Sequence, residues 1–155
     1  MPRSVLRRWV LSGAVVCAVF AGPVAVAQAS DNDIRTTLNL YAPKIVKDEN
    51  AVKKGLKEYR NSSRPLTRAL KHEVSDLHAL GKALRHESAS TAKGHKGKKD
   101  IVKGLGLIAS AYSSLRADVL AVHGGDVPAS EVSAAQATDK KGRTKLKAGL
   151  SLLKA

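Results

Sequence analysis

Residues 101–122 read IVKGLGLIASAYSSLRADVLAV. Within them Ile101, Leu105, Ile108, Tyr112, Leu115, Val119 and Val122 alternate spacings of four and three, which places all seven on one stripe of an α-helix. Only Lys103, Arg116 and Asp118 are charged in this stretch, so the helix needs partners to cover it. Gly124-Gly125 follows as a helix stop. The same periodicity extends outward in both directions, and no segment alternates with period two between turn signals. The chain therefore reads as all-α, a small antiparallel bundle of four main helices, or five if the first or last breaks.

Upstream, Ile34, Leu38, Tyr41, Ile45, Val52, Leu56 and Tyr59 keep one frame across Pro43, where a kink or short break is expected. A second helix opens at Ser62-Ser63 with Pro65 in its first turn, carries Leu66, Leu70, Val74, Leu77, Leu80 and Leu84, and ends near Ser88. Residues 88–99 hold two glycines and no large apolar side chain, so a basic loop is expected there. The last helix begins after Asp126-Val127-Pro128 and uses Val132, Ala135, Leu146, Leu150 and Leu153. Thr138-Asp139 offers a break near Lys140 to Gly142. Gly55-Leu56, Gly104-Leu105 and Gly149-Leu150 stand at equivalent places in three helices, and glycine inside a helix costs about 1 kcal/mol relative to alanine. Close helix crossings at those points would explain it.

The first 29 residues stand apart. Arg3, Arg7 and Arg8 precede an apolar run from Trp9 to Val26 that ends in Ala27-Gln28-Ala29, the pattern of a secretory signal peptide with an A-x-A cleavage site. Cleavage removes three arginines and no acid, taking the formal charge from +14 to +11. It also removes the single Cys, Cys17, so the mature domain, residues 30–155, has no thiol chemistry. Localisation outside the cytoplasm or in the envelope follows as an expectation.

Catalytic patterns fail one by one. His72-Glu73 and His86-Glu87 lack the second histidine of a zinc helix, since Asp76 and Ser90 stand where it would fall. The remaining histidines, His78, His95 and His123, join no ligand spacing. His123-Gly124-Gly125 has no Gly-x-Ser-x-Gly elbow to serve, and Gly104-Leu105-Gly106 lies inside a helix whose amides already have partners. The expectation is a non-catalytic protein with no cofactor and no metal.

Charge is the feature above background. Lys93, His95, Lys96, Lys98 and Lys99 form one basic tract, and Lys140, Lys141, Arg143, Lys145 and Lys147 form another with no acid inside it. Such tracts attract polyanions through field and counterion release. The expected role is a secreted binding or structural protein, with anionic cell-envelope polymers, anionic lipid headgroups or extracellular nucleic acid as partners. A second reading makes residues 140–155 an interfacial amphipathic helix through Leu146, Leu150, Leu152 and Leu153, and a small exported enzyme ranks third. Mass spectrometry of the exported protein should find Ser30 at its N-terminus, and retention of Trp9 would refute the cleavage site.

Overall fold

A computed structural model describes residues 31–59, 61–123 and 125–154, so the signal segment and its cleavage site lie outside the described residues. The described residues contain four helices and no strand: α1 (Asn32–Glu58), α2 (Arg64–His86), α3 (Ala92–Ala121) and α4 (Ala129–Lys154). Each packs against the next in sequence, α3 and α4 most extensively. The direction alternates, giving an antiparallel four-helix bundle. One aliphatic core runs its length, with Ile34, Leu38, Ile45, Leu70, Leu80, Ile101, Leu115 and Leu146 among the side chains sealed inside.

Two expected interruptions do not occur. α1 continues through Pro43, because Pro43 and Asn39, whose carbonyl loses its donor, both face solvent. α4 runs unbroken through Lys140 to Gly142. Thr138 turns its hydroxyl back onto the Ala134 carbonyl at 3.1 Å, and Asp139 points inward to an ion pair instead of capping a new helix.

The basic loop expected at 88–99 is also corrected. The connection spans only 87–91, and Lys93 to Lys99 form the first turns of α3. Thr91 caps that helix, its hydroxyl accepting from Gly94 N at 2.8 Å. The first turn of α3 has no acid of its own. Asp31 supplies one from the start of α1, accepting from Ser90 N at 3.3 Å and from the Thr91 hydroxyl at 2.8 Å. The two glycines that suggest a loop are contact points: Gly94 lies under Asp31, and Gly97 lies against the Gly149 carbonyl and Leu153. At the other end of α3 the left-handed residue is His123, with φ of 47°, while Gly124 lies outside the described residues.

Glycines also set the tightest interface. A Cβ at Gly104 would lie 2.7 Å from the Gly142 carbonyl, and one at Gly149 would lie 2.6 Å from the Gly97 carbonyl. Heptad steps thus pair Gly97 with Gly149 and Gly104 with Gly142, and the same antiparallel register sets buried Ala111 level with buried Ala135. Gly55 plays the same part against the Leu66 backbone, where α1 meets α2. Gly104→Ala should therefore overpack by about 1–3 kcal/mol, more than offsetting its gain of about 1 kcal/mol in helix propensity. Gly106→Ala, whose Cβ meets open space, should stabilise by up to about 1 kcal/mol. Thermal melts moving in opposite directions check the pair.

Candidate functional site

Four helices bring polar side chains to one level of the bundle. Glu49 follows Ile45 by four and precedes Val52 by three, Glu73 stands likewise between Leu70 and Leu77, and Asp139 and Arg143 fall between Ala135 and Leu146. Tyr112 is the matching position of α3. All five are buried. Arg143 joins them: its Nε donates to Asp139 at 2.7 Å, one Nη to Glu49 at 3.5 Å and the other to the Tyr112 hydroxyl at 3.0 Å. Lys53 lies 4.0 Å from Glu49. Glu73 completes the layer from α2, and its Oε2 meets no donor among the described residues.

Burial, reinforced by Glu49 and Asp48, pushes the Glu73 carboxyl up to about 9, so it is protonated at neutral pH. Burial likewise holds the Tyr112 phenol well above its ordinary value. With Glu73 neutral, Glu49 and Asp139 are balanced by Arg143 and Lys53. Glu49 and Glu73 are each only 2% exposed, and burial on that scale denies a substrate access. The layer therefore fixes register and pairing. No group of three or more His, Cys, Asp or Glu residues able to hold a metal occurs among the described residues.

Arg143 therefore leaves the set of surface anion-binding candidates, because its guanidinium is already engaged inside. The others are placed as follows. Lys93, His95, Lys96 and Lys99 are exposed on α3, and Lys140, Lys141, Lys145 and Lys147 are exposed on α4. Lys98 is half-buried and donates to the Glu87 carbonyl at 2.8 Å, pinning the α2–α3 connection. The glycine seam brings the two tracts onto adjacent helices, where Lys145 meets Asp100 at 3.5 Å.

A larger basic surface lies mostly outside both tracts. Arg64, Arg68, Lys71, Ser75, His78, Lys82 and Arg85 alternate spacings of four and three along α2, on the face opposite its core stripe, and all seven are exposed. The row extends about 32 Å at 1.5 Å per residue. The charges are scattered through the sequence, so only helical periodicity reveals them. α3 adds Lys99, Lys103 and Arg116 beside the row, which borders two cavities between α2 and α3. One, of about 490 Å³, is lined by Arg85, Lys98, Lys99 and Lys103 over Val102 and Gly106. The other, of about 340 Å³, is lined by Arg64, Arg68, Lys71 and Arg116. A third cavity, between α1 and α2, sets Asp48 and Glu58 against Lys54, Arg64 and Arg68, so its positive charge is largely offset. Of the thirteen acids only Asp33, Asp126 and Glu131 are exposed, none of them on α2.

The leucines of the C-terminal helix belong to the bundle: Leu146, Leu150 and Leu153 are buried. No helix among the described residues is long and apolar enough to cross a membrane. No family model, curated protein or solved structure matches the chain.

Arg143→Ala should cost about 3–5 kcal/mol, because it removes the cation bound to buried Asp139 and leaves buried Glu49 with Lys53 alone at 4.0 Å. A denaturant melt checks it. For Glu73, the folded state holds its proton up to about 9 while the unfolded chain releases it near the ordinary value of 4.5. Its contribution to stability is complete below pH 4.5 and is lost as pH rises toward 9, with a slope of at most about 1.4 kcal/mol per pH unit. Glu73→Gln should flatten that decline, and equal slopes for both proteins between pH 5 and 8 would refute the protonated assignment.

Proposed function

We propose that the protein is a secreted, non-catalytic binder of anionic polymers that acts through the cationic face of α2 and α3. The observation that carries this reading is the row from Arg64 to Arg85, which has no carboxylate among its exposed neighbours on α2 and is flanked by Lys99, Lys103 and Arg116. Apart from Asp33, Asp126 and Glu131, the acids are buried or half-buried, so the outward field on α2 and α3 is strongly positive. Lys93, Lys96, Lys140, Lys141 and Lys147 extend this field around α3 and α4. Among the partners expected from the sequence, polymers of the envelope suit a long cationic row better than lipid headgroups do, since three of the four leucines that would enter lipid, Leu146, Leu150 and Leu153, are buried in the core and Leu152 is half-buried.

The test is affinity against salt. On duplex DNA as a model polyanion, replacing Arg64, Arg68, Lys71, Lys82 and Arg85 with Gln should reduce the slope of log affinity against log salt by roughly 0.9 for each phosphate that the variant no longer neutralises. Replacing Lys44, Lys47, Lys54 and Lys57 of α1 should change it less. All are exposed positions, so each substitution should move stability by only about ±0.5 kcal/mol. Absence of binding to any polyanion at low salt would refute the reading.

A further inference from the structure

We infer that the groove between α2 and α3 is a track for one extended, flexible chain of polyol phosphate, seated lengthwise between its two cationic ends. The inference rests on the polyanion reading above and adds a place and a ligand class to it. Arg85 and Val102 share the first cavity, and Lys71 and Arg116 share the second, so both cavities obey one antiparallel register. Their centres are separated by fourteen residues on either helix, about 21 Å.

What lies between them favours a slender ligand. The same register sets Gly81 of α2 level with Gly106 of α3. Nothing lies within 4 Å of where a Cβ would stand at either position, although Gly81 itself is buried. Every other described glycine inside a helix is crowded by a neighbouring segment. Gly106, which is exposed, leaves the groove open beside Arg85 and Lys103, where a polymer backbone can approach without meeting a side chain, while Gly81 lies beneath the surface.

The groove has no Tyr, Trp or Phe on which a base could stack, its flat side chains being arginines and the His72 and His78 imidazoles. Tyr59 and Tyr112 are buried, and the half-buried Tyr41 lies on α1, beneath the Lys44 ammonium. Without Tyr, Trp or Phe a nucleic-acid strand gains little stacking energy, while its phosphates are met no better than those of a chain without bases. A polyol phosphate chain supplies the same regularly spaced charge with less bulk.

The experiment separates the groove from the field. Gly106→Leu keeps every charge and adds a side chain where the structure has open space. Gly106→Ala adds one methyl group. Circular dichroism checks that both retain native helicity. Binding of a poly(glycerol phosphate) chain is measured at low salt for native protein, both glycine variants and Arg85→Gln/Lys103→Gln, with oligothymidylate of equal charge as comparison. The track requires native binding, at least a tenfold loss in Gly106→Leu, a smaller loss in Gly106→Ala, and weaker oligothymidylate binding. Undiminished binding by Gly106→Leu alongside loss in Arg85→Gln/Lys103→Gln would overturn the track while leaving the polyanion reading intact. Equal binding of oligothymidylate, equally lost in Gly106→Leu, would overturn the polyol phosphate assignment. No binding of either polymer by native protein would overturn the inference and the underlying reading together.

Discussion

A guanidinium is tolerated in a bundle core only where its donors meet acceptors, and Arg143 imposes that condition on several helices at once. It reaches Asp139 on its own helix, Glu49 on α1 and Tyr112 on α3, and its field acts on Glu73 of α2. Aliphatic side chains can slide by one turn at modest cost, since a leucine finds a comparable environment a heptad away. The planar fork of Arg143 cannot, because the displaced acceptors would be left buried and unpaired. α1 and α4 depend on this most. Arg143 and Arg35, which donates to the Leu153 carbonyl, tie them at two levels. Long side chains close the ring where backbones approach less closely.

The opposite edge of α4 is held by the reverse strategy. Against α3 the interface removes side chains: Gly97, Gly104, Gly142 and Gly149 let carbonyls approach to distances that any Cβ would obstruct. With little bulk to interdigitate, the close approach multiplies dispersion contacts between backbones and the flanking Ile101, Ile108 and Leu146. The two devices are complementary. Glycines set how near α3 and α4 come, while the arginines set the level at which α4 meets α1.

This division explains what was legible in the sequence. The all-α class, the helix count and nearly every aliphatic core position follow from the three-and-four spacing, since burial of a stripe is what that spacing encodes. Val74, read as a stripe member, is only half-buried because the stripe position beside it belongs to Glu73. The polar layer was written as gaps in the apolar pattern at 49, 73 and 139. A gap has no hydropathy signal unless the four helices are aligned, and alignment is a tertiary property. The loop expected at 88–99 failed for a related reason: Gly94 and Gly97 have no side chain to bury, yet their backbones do the packing. Arg143 looked like one more member of a lysine tract because contiguous charge and helical facing are different things.

The surface follows from the same inward placement of acids. Glu49, Glu73 and Asp139 serve the core, Asp31 serves the start of α3, and Glu87 accepts from Thr37 while its carbonyl takes Lys98. Glu49 and Asp139 take Arg143 and the half-buried Lys53 inward with them, whereas Glu73, protonated, and Asp31 and Glu87, held by neutral donors, leave the surface with no cation to match. A helix with mixed charges ordinarily presents paired rows that cancel beyond a Debye length of about 10 Å at 0.1 M salt. On α2 the only acids, Glu73 and Asp76, lie off the exposed row: Glu73 is in the core and Asp76 bonds to Asp48 of α1, so that cancellation is lost. The polar core and the cationic face are thus one arrangement of charge, with the carboxylates that fix the bundle being the ones missing from its surface.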